Sequence, residues 1–255
     1  ARGATIAGGG GDLDGIVSSY SQIYTNYGFI GGGAGNRVGE WPPGGYGYSS
    51  VVGGQGNRIT GDFGSILGGS SNRVTGDEGV VLGGSSNEAV GEGSVVGNGF
   101  QNVATGQHAT IVNGAVNRAA GSMATVLNGA HNSAGGRYSV VGGQRARVRS
   151  ATESGDSDGD EGTFVWSDAL QQSVDFISTG PNQFLIRSAG GVGINTNAPR
   201  SMLDIAGLTT TNALRIPGGT DGQVLLSDAS GYALWQTPAF APTGAAGGDL
   251  SGSYP

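Results

Sequence analysis

Aliphatic residues return at a fixed step through the first half of the chain: Val51, Ile66, Val81, Val96, Ile111 and Val126 are each 15 positions apart. Polar positions keep the same step. Six residues after each aliphatic stands an asparagine, at Asn57, Asn72, Asn87, Asn102, Asn117 and Asn132. Two residues further on comes a second apolar residue, at Ile59, Val74, Ala89, Ala104, Ala119 and Ala134. A glycine follows at Gly61, Gly76, Gly91, Gly106, Gly121 and Gly136. Asn36 begins a related unit offset by an insertion, and Val140-Val141-Gly142-Gly143 starts a last, incomplete one.

Each unit reads as a short aliphatic strand, a Gly/Asn turn, a second short strand and a glycine-containing return. A helix is excluded, because the several glycines of each window each cost about 1 kcal/mol of helix propensity. Turns recurring at identical positions predict an all-β solenoid, a β-roll of 15-residue coils over residues 1–148. About seven regular coils at ~4.8 Å each give a stack roughly 30–35 Å long. In this reading the asparagines form a turn ladder, since a turn needs its residue in every coil and a ligand array does not.

Composition narrows the classes. Glycine fills 54 of 255 positions and charged residues only 12%, against about 25% in ordinary domains. There is no cysteine, which removes disulfide scaffolds and thiolate metal sites. A net charge of -7 argues against nucleic-acid binding. No apolar run reaches the ~18 residues that span a bilayer, so no membrane insertion is expected in this segment. The chain starts at Ala1 inside a repeat and stops at Pro255, and it reads as a fragment or a processed form.

So thin a coil buries few aliphatics against the entropy of ordering many glycines. A second apolar face packed on symmetric copies is therefore expected, as an oligomer.

The units, of the form S/T-V-V/L-G-G…N-x-V/A-x-G, resemble the head β-rolls of trimeric autotransporter adhesins and related phage tail-fibre proteins. Gly162–Asp168, Ser178–Arg187, Gly190–Thr196, Leu203–Gly207 and Gly247–Pro255 resemble a recurrent block of the same fibres. The resemblance covers nearly the whole chain, although the coils here are one residue longer than is usual in those heads. It implies homotrimers, a location outside the cell or on a cell or virion surface, and adhesion or receptor binding.

Beyond about residue 148 the period stops. Residues 149–162 read as an acidic linker, 163–237 as a small β-hairpin neck or cap, and 238–255 as an extended Pro/Gly-rich tail. One hairpin is predicted from Gln183–Arg187 and Gly191–Ile194, and another from Gln223–Leu226 and Tyr232–Gln236. A cap would shield the open end of the stack.

Two insertions, at about 11–27 and 39–49, hold Tyr20, Tyr24, Tyr27, Trp41, Tyr46 and Tyr48. Inserts of this kind map to one face of a solenoid, and amphipathic rings suit a glycan, receptor or matrix ligand. They serve equally to cap the first coils or to seal a seam between copies. Asp156-Ser157-Asp158-Gly159-Asp160-Glu161 begins like a calcium loop, but Glu161 and Ser167 stand where the EF-hand needs Gly and Glu. Gly31-Gly32-Gly33-Ala34-Gly35 has no lysine and no following helix, so it is no phosphate loop. His108 and His131, the two histidines, fall at turn positions of ordinary coils and read as surface residues.

No catalytic residue, metal site or cofactor is expected. The expectation is a non-enzymatic adhesion fibre segment. The alternatives are a polysaccharide-degrading tailspike, which needs a pair of carboxylates about 5–9 Å apart, and a filament subunit that associates end to end.

Overall fold

The computed structural model describes residues 2–8, 20–40, 47–170, 173–210, 212 and 216–237. Each coil contributes two strands, usually of two residues, one to each of two parallel sheets. The first sheet has eleven strands, beginning Thr5–Ile6, Phe29–Ile30, Ser50–Val51 and Ser65–Ile66 and ending Phe164–Ser167 and Phe184–Arg187. The second has ten, from Gln22–Ile23 and Arg37–Val38 to Ala146–Val148 and Phe176–Ile177. Partners in successive regular coils are 15 residues apart, as in Ser65↔Val80 and Arg58↔Arg73. The chain is a parallel β-solenoid followed by small C-terminal sheets.

The stack runs past the end of the sequence period. Phe164–Ser167 pairs in parallel with Val140–Gln144, and Phe184–Arg187 pairs in parallel with Phe164–Ser167. The predicted hairpin of Gln183–Arg187 with Gly191–Ile194 is therefore corrected. Gln183–Arg187 supplies the last rung of the first sheet, while Val192–Ile194 belongs to a two-stranded sheet with Leu203–Ile205. Residues 149–162 make a detour between two rungs, with a one-turn helix at Ala151–Ser154. The second predicted hairpin is present, with Val224–Ser227 antiparallel to Ala233–Gln236. It lies in a separate compact unit, 205–255, where the Trp235 ring packs over Gly219.

The insertion boundaries also move. Gln22–Ile23 pairs with Arg37–Val38 at the regular step of 15, so Tyr20, Tyr24 and Tyr27 belong to or border an ordinary coil. Thr5 pairs with Phe29, 24 positions on, which leaves nine extra residues in the first coil. Arg37 pairs with Arg58, 21 positions on, which leaves six extra.

The core is one side chain wide. From Phe29–Ile30 to Ser133–Ala134 the second residue of each two-residue strand points inward and is fully buried, as in Ile66, Val81 and Val96 of the first sheet and Ile59, Val74 and Ala104 of the second. Its width is held by exchange of volume between that position and the corner five residues later. Gly64 and Gly79 follow Ile59 and Val74, and a Cβ at either glycine would come within 2.7 Å of the preceding aliphatic side chain. Where the strand residue shrinks to Ala104 or Ala119, the corner carries Ala109 or Ala124, also buried.

A buried column of asparagines closes the other corner. Asn36 and Asn87 are fully buried and Asn72 nearly so. Asn87 donates Nδ2 to the Gly83 carbonyl of its own coil and to the Gly99 carbonyl of the next, both at 2.9 Å. Its Oδ1 accepts the backbone N–H of Asn102 at 3.0 Å. The pattern repeats from Asn36, whose Oδ1 takes the N–H of Asn57, to Asn132, whose Oδ1 takes the N–H of Ala146. The ladder thus joins amides to backbone, coil to coil, and each side chain satisfies three backbone groups, two carbonyls and one N–H. The tight turn beneath it forces glycine at Gly84, where φ is +81° and a Cβ would lie 2.1 Å from the Gly99 carbonyl oxygen.

Replacing Asn87 by Ala leaves the Gly83 carbonyl and the Asn102 N–H unpaired and the Gly99 carbonyl with only its bond from the Ser85 N–H, and is expected to cost roughly 3 kcal/mol. Gly84→Ala is expected to cost about 2 kcal/mol or more through backbone strain and contact. Gly83→Ala, with no atom nearer than 3.9 Å to the new methyl, is expected to be neutral or slightly stabilising. Urea midpoints of the three variants check this ranking, and equal effects at Gly83 and Gly84 would contradict it.

Candidate functional site

Repetition turns each outward residue into a column, so candidate sites here are strips rather than clefts. The return turn holds its third residue in the left-handed region in every regular coil. That position is Tyr27, Tyr48 and Phe63 in the N-terminal coils, with φ of 53°, 56° and 56°. The three rings stack along the solenoid. Tyr27 and Tyr48 have centroids 4.7 Å apart at 13°, and Tyr48 and Phe63 5.5 Å apart at 1°. All three are about half exposed. Of the predicted aromatic residues, the structure therefore brings together Tyr27 and Tyr48. Phe63 was missed, although it stands one period after Tyr48. Trp41 and Tyr46 lie outside the described residues.

Tyr24 sits elsewhere, on the outer face of the second sheet. Its ring carries the Arg37 guanidinium 4.9 Å from the centroid, and its hydroxyl donates to the Gln22 side chain at 2.8 Å. Tyr20 is strongly exposed. Asn57, Asn72, Asn87, Asn102, Asn117 and Asn132 face inward with their amides committed to backbone, so no external ligand reaches them.

The two sheets present different outer faces. On the first, the residue after the buried aliphatic is Val52, Leu67, Leu82, Val112 and Leu127 in five coils, each 40–53% exposed, with glycine at Gly97 and Gly142, and Trp166 resumes the column. The adjoining Gly/Asn corner adds Phe100 and Val116, also exposed. On the second sheet, the outward register position is Arg37, Arg58, Arg73, Glu88, Val103, Arg118, Ser133 and Arg147 in successive coils.

The acidic detour is pinned by Asp160, which is almost fully buried. Arg149 holds both carboxylate oxygens, at 2.8 and 2.9 Å, and the Ser178 hydroxyl donates to one of them. Burial alone would push the Asp160 carboxyl up, but the hydrogen bonds from Arg149 and Ser178, with the charge of Arg149, outweigh it and hold it below the usual range. Its oxygens are thus occupied, and among the described residues no group of three acidic or histidine side chains could hold a metal ion.

A groove of about 540 Å³ runs between this detour and the second sheet, lined by Arg118, Arg137, Arg147, Glu153 and Asp158 among others. Glu153 pairs with Arg147, and Asp158 lies 4.0 Å from Arg137. An apolar cleft of about 450 Å³ near the last rung is lined by Leu170, Phe176, Ile186, Val192 and Met202. His108 and His131 are exposed, at the left-handed positions of opposite corners. No family model and no curated protein matches the sequence.

Two outcomes follow. Because Asp160 is held below its unfolded value, its contribution to stability is present above about pH 4 and is lost as pH falls through the lower folded value. The melting difference between wild type and Asp160→Asn should therefore be constant above about pH 5 and shrink in stronger acid. A pH-independent difference would contradict the assignment. At the aromatic ladder, Tyr48→Gly removes two stacked contacts of about 0.5–1.5 kcal/mol each and recovers about 1–2 kcal/mol of left-handed strain. Thermal unfolding should show a net change within about 1 kcal/mol, and a large loss would make the ladder a structural clamp.

Proposed function

We propose that this chain is a segment of a non-enzymatic extracellular fibre that trimerises and binds a surface receptor or glycan. The observation that carries the reading is the aliphatic column of the first sheet, Val52, Leu67, Leu82, Val112 and Leu127, broken among these rungs only at Gly97. Soluble monomers seldom expose an apolar strip of this continuity, and a parallel sheet is normally covered on both faces. The second apolar surface, at the corner bearing Phe100 and Val116, adjoins the first and differs from it. Joining unlike surfaces of neighbouring copies is a heterologous contact, and three is the smallest ring that such contacts close. The opposite sheet and the aromatic corner then face outward, repeated around the axis, so weak contacts add as avidity. The resemblance to adhesin heads and tail fibres agrees with this arrangement.

Light scattering should give a mass of three times 25.2 kDa. Leu67→Glu with Leu82→Glu should reduce it to a single chain while the β-sheet signal in circular dichroism persists. A wild-type monomer would end the trimer reading. Incubation with polysaccharides should release no new reducing ends, and their appearance would turn the assignment to a degrading tailspike.

A further inference from the structure

Arg37, Arg58 and Arg73 occupy the same outward position in three successive coils of the second sheet, paired directly in register. Like charges set opposite one another across a parallel pair destabilise it by some tenths of a kcal/mol to about 1 kcal/mol. Internal neutralisation is partial, and Glu88 stands opposite Arg73 in the next coil and ends the run. Arg58 pairs with Glu40, and Arg37 lies over the Tyr24 ring. Among the described residues, Arg73 has no ion pair. The Nε atoms of Arg37 and Arg58 are buried without a hydrogen-bond partner among the described residues. Two residues on from Arg58 and Arg73, on the same outer face, stand the half-buried hydroxyl residues Thr60 and Thr75. We propose that Arg37, Arg58 and Arg73 form a binding strip for a linear acidic polysaccharide laid along the solenoid axis.

The spacing selects the ligand. Successive rungs are ~4.8 Å apart, comparable to the length of one sugar in an extended chain, so a glycan with an anionic group on each residue meets one arginine per sugar. Arginine forks match sulfate and carboxylate oxygens in pairs. Duplex nucleic acid fits poorly, since its phosphates advance about 3.4 Å per strand and wind around a helix. The chain carries a net charge of -7, which repels a polyanion everywhere except along such a strip. Tyr24, beside Arg37, adds an aromatic face at one end.

The strip is tested on the full chain with dextran sulfate, with uncharged dextran and a single-stranded oligonucleotide as comparators, by titration at two salt concentrations. Dextran sulfate should bind, more weakly at high salt, and uncharged dextran should not. Arg58→Ala with Arg73→Ala should weaken binding about tenfold or more. Arg118→Ala, in the same column but between Val103 and Ser133, should change it less than about threefold. Melting without ligand should stay unchanged or rise in the double variant, because it relieves repulsion between outward side chains. Equal losses at Arg118 and at the double variant, or no binding of dextran sulfate, would overturn the strip. Equally tight binding of the oligonucleotide would overturn the polysaccharide assignment. None of these readouts depends on the oligomeric state, which light scattering reports separately.

Discussion

A coil with a core one side chain wide has corners whose peptide groups are buried yet too far from the opposite strand to bond to it. The asparagine column answers that constraint. An amide offers two donors and an acceptor at the end of a short stem, so it can take a carbonyl in its own coil, a carbonyl in the next and the following N–H. No hydroxyl or aliphatic residue of that size has the same inventory. The ladder thereby sets both the period and the register. Slipping one coil by one residue would strand the amides along with the aliphatics, and a half-satisfied buried network costs more than none. The glycines at the corner follow from the same geometry, because the carbonyl that the amide reaches lies where a Cβ would be.

Once inward positions are fixed in this way, the outward ones are free, and translation copies each choice into a strip. One sheet carries aliphatics outward, the other arginines and threonines, and the two corners differ again. The left-handed turn position shows how loose the outer constraint is, for it holds Tyr48, Phe63, Glu78, Gly93, His108, Met123 and Tyr138 in turn, all with positive φ. A bulky residue there costs strain. The aromatic run is confined to the first coils, where stacking between neighbouring rings offsets part of that cost.

The fold was legible where period and chemistry coincided. The step of 15, the buried second strand residues and the inward asparagines all follow from sequence positions alone. The continuation beyond residue 148 was not legible, because the detour changes the spacing while the strands keep their partners. Val141 and Val165 pair in the same column although 24 positions separate them. An interrupted period reads as an ended one. The acidic run was read as a linker, and the inward turn of one of its carboxylates was not legible. Asp156, Asp158 and Asp160 alternate like ligands, yet only Asp160 turns inward, and what turns it is Arg149, whose partner depends on the loop's path. Tyr24 and Tyr27 were grouped with an insertion because the register of the first coils is visible only from strand pairing. The aromatic ladder was legible in part, since Tyr48 and Phe63 share the period.

Function in such a molecule is carried by departures from uniformity on the outside. A column that varies freely between polar and small residues tells of no selection beyond solubility, whereas a run of one chemistry over several rungs must offset a cost. The aliphatic run of the first sheet costs exposed apolar surface, and the arginine run of the second costs repulsion. Each cost would be relieved by a complementary surface, apolar in one case and anionic in the other. The two runs lie on different sheets, so the two partners proposed for them, a second copy and a polyanion, would not compete for one surface.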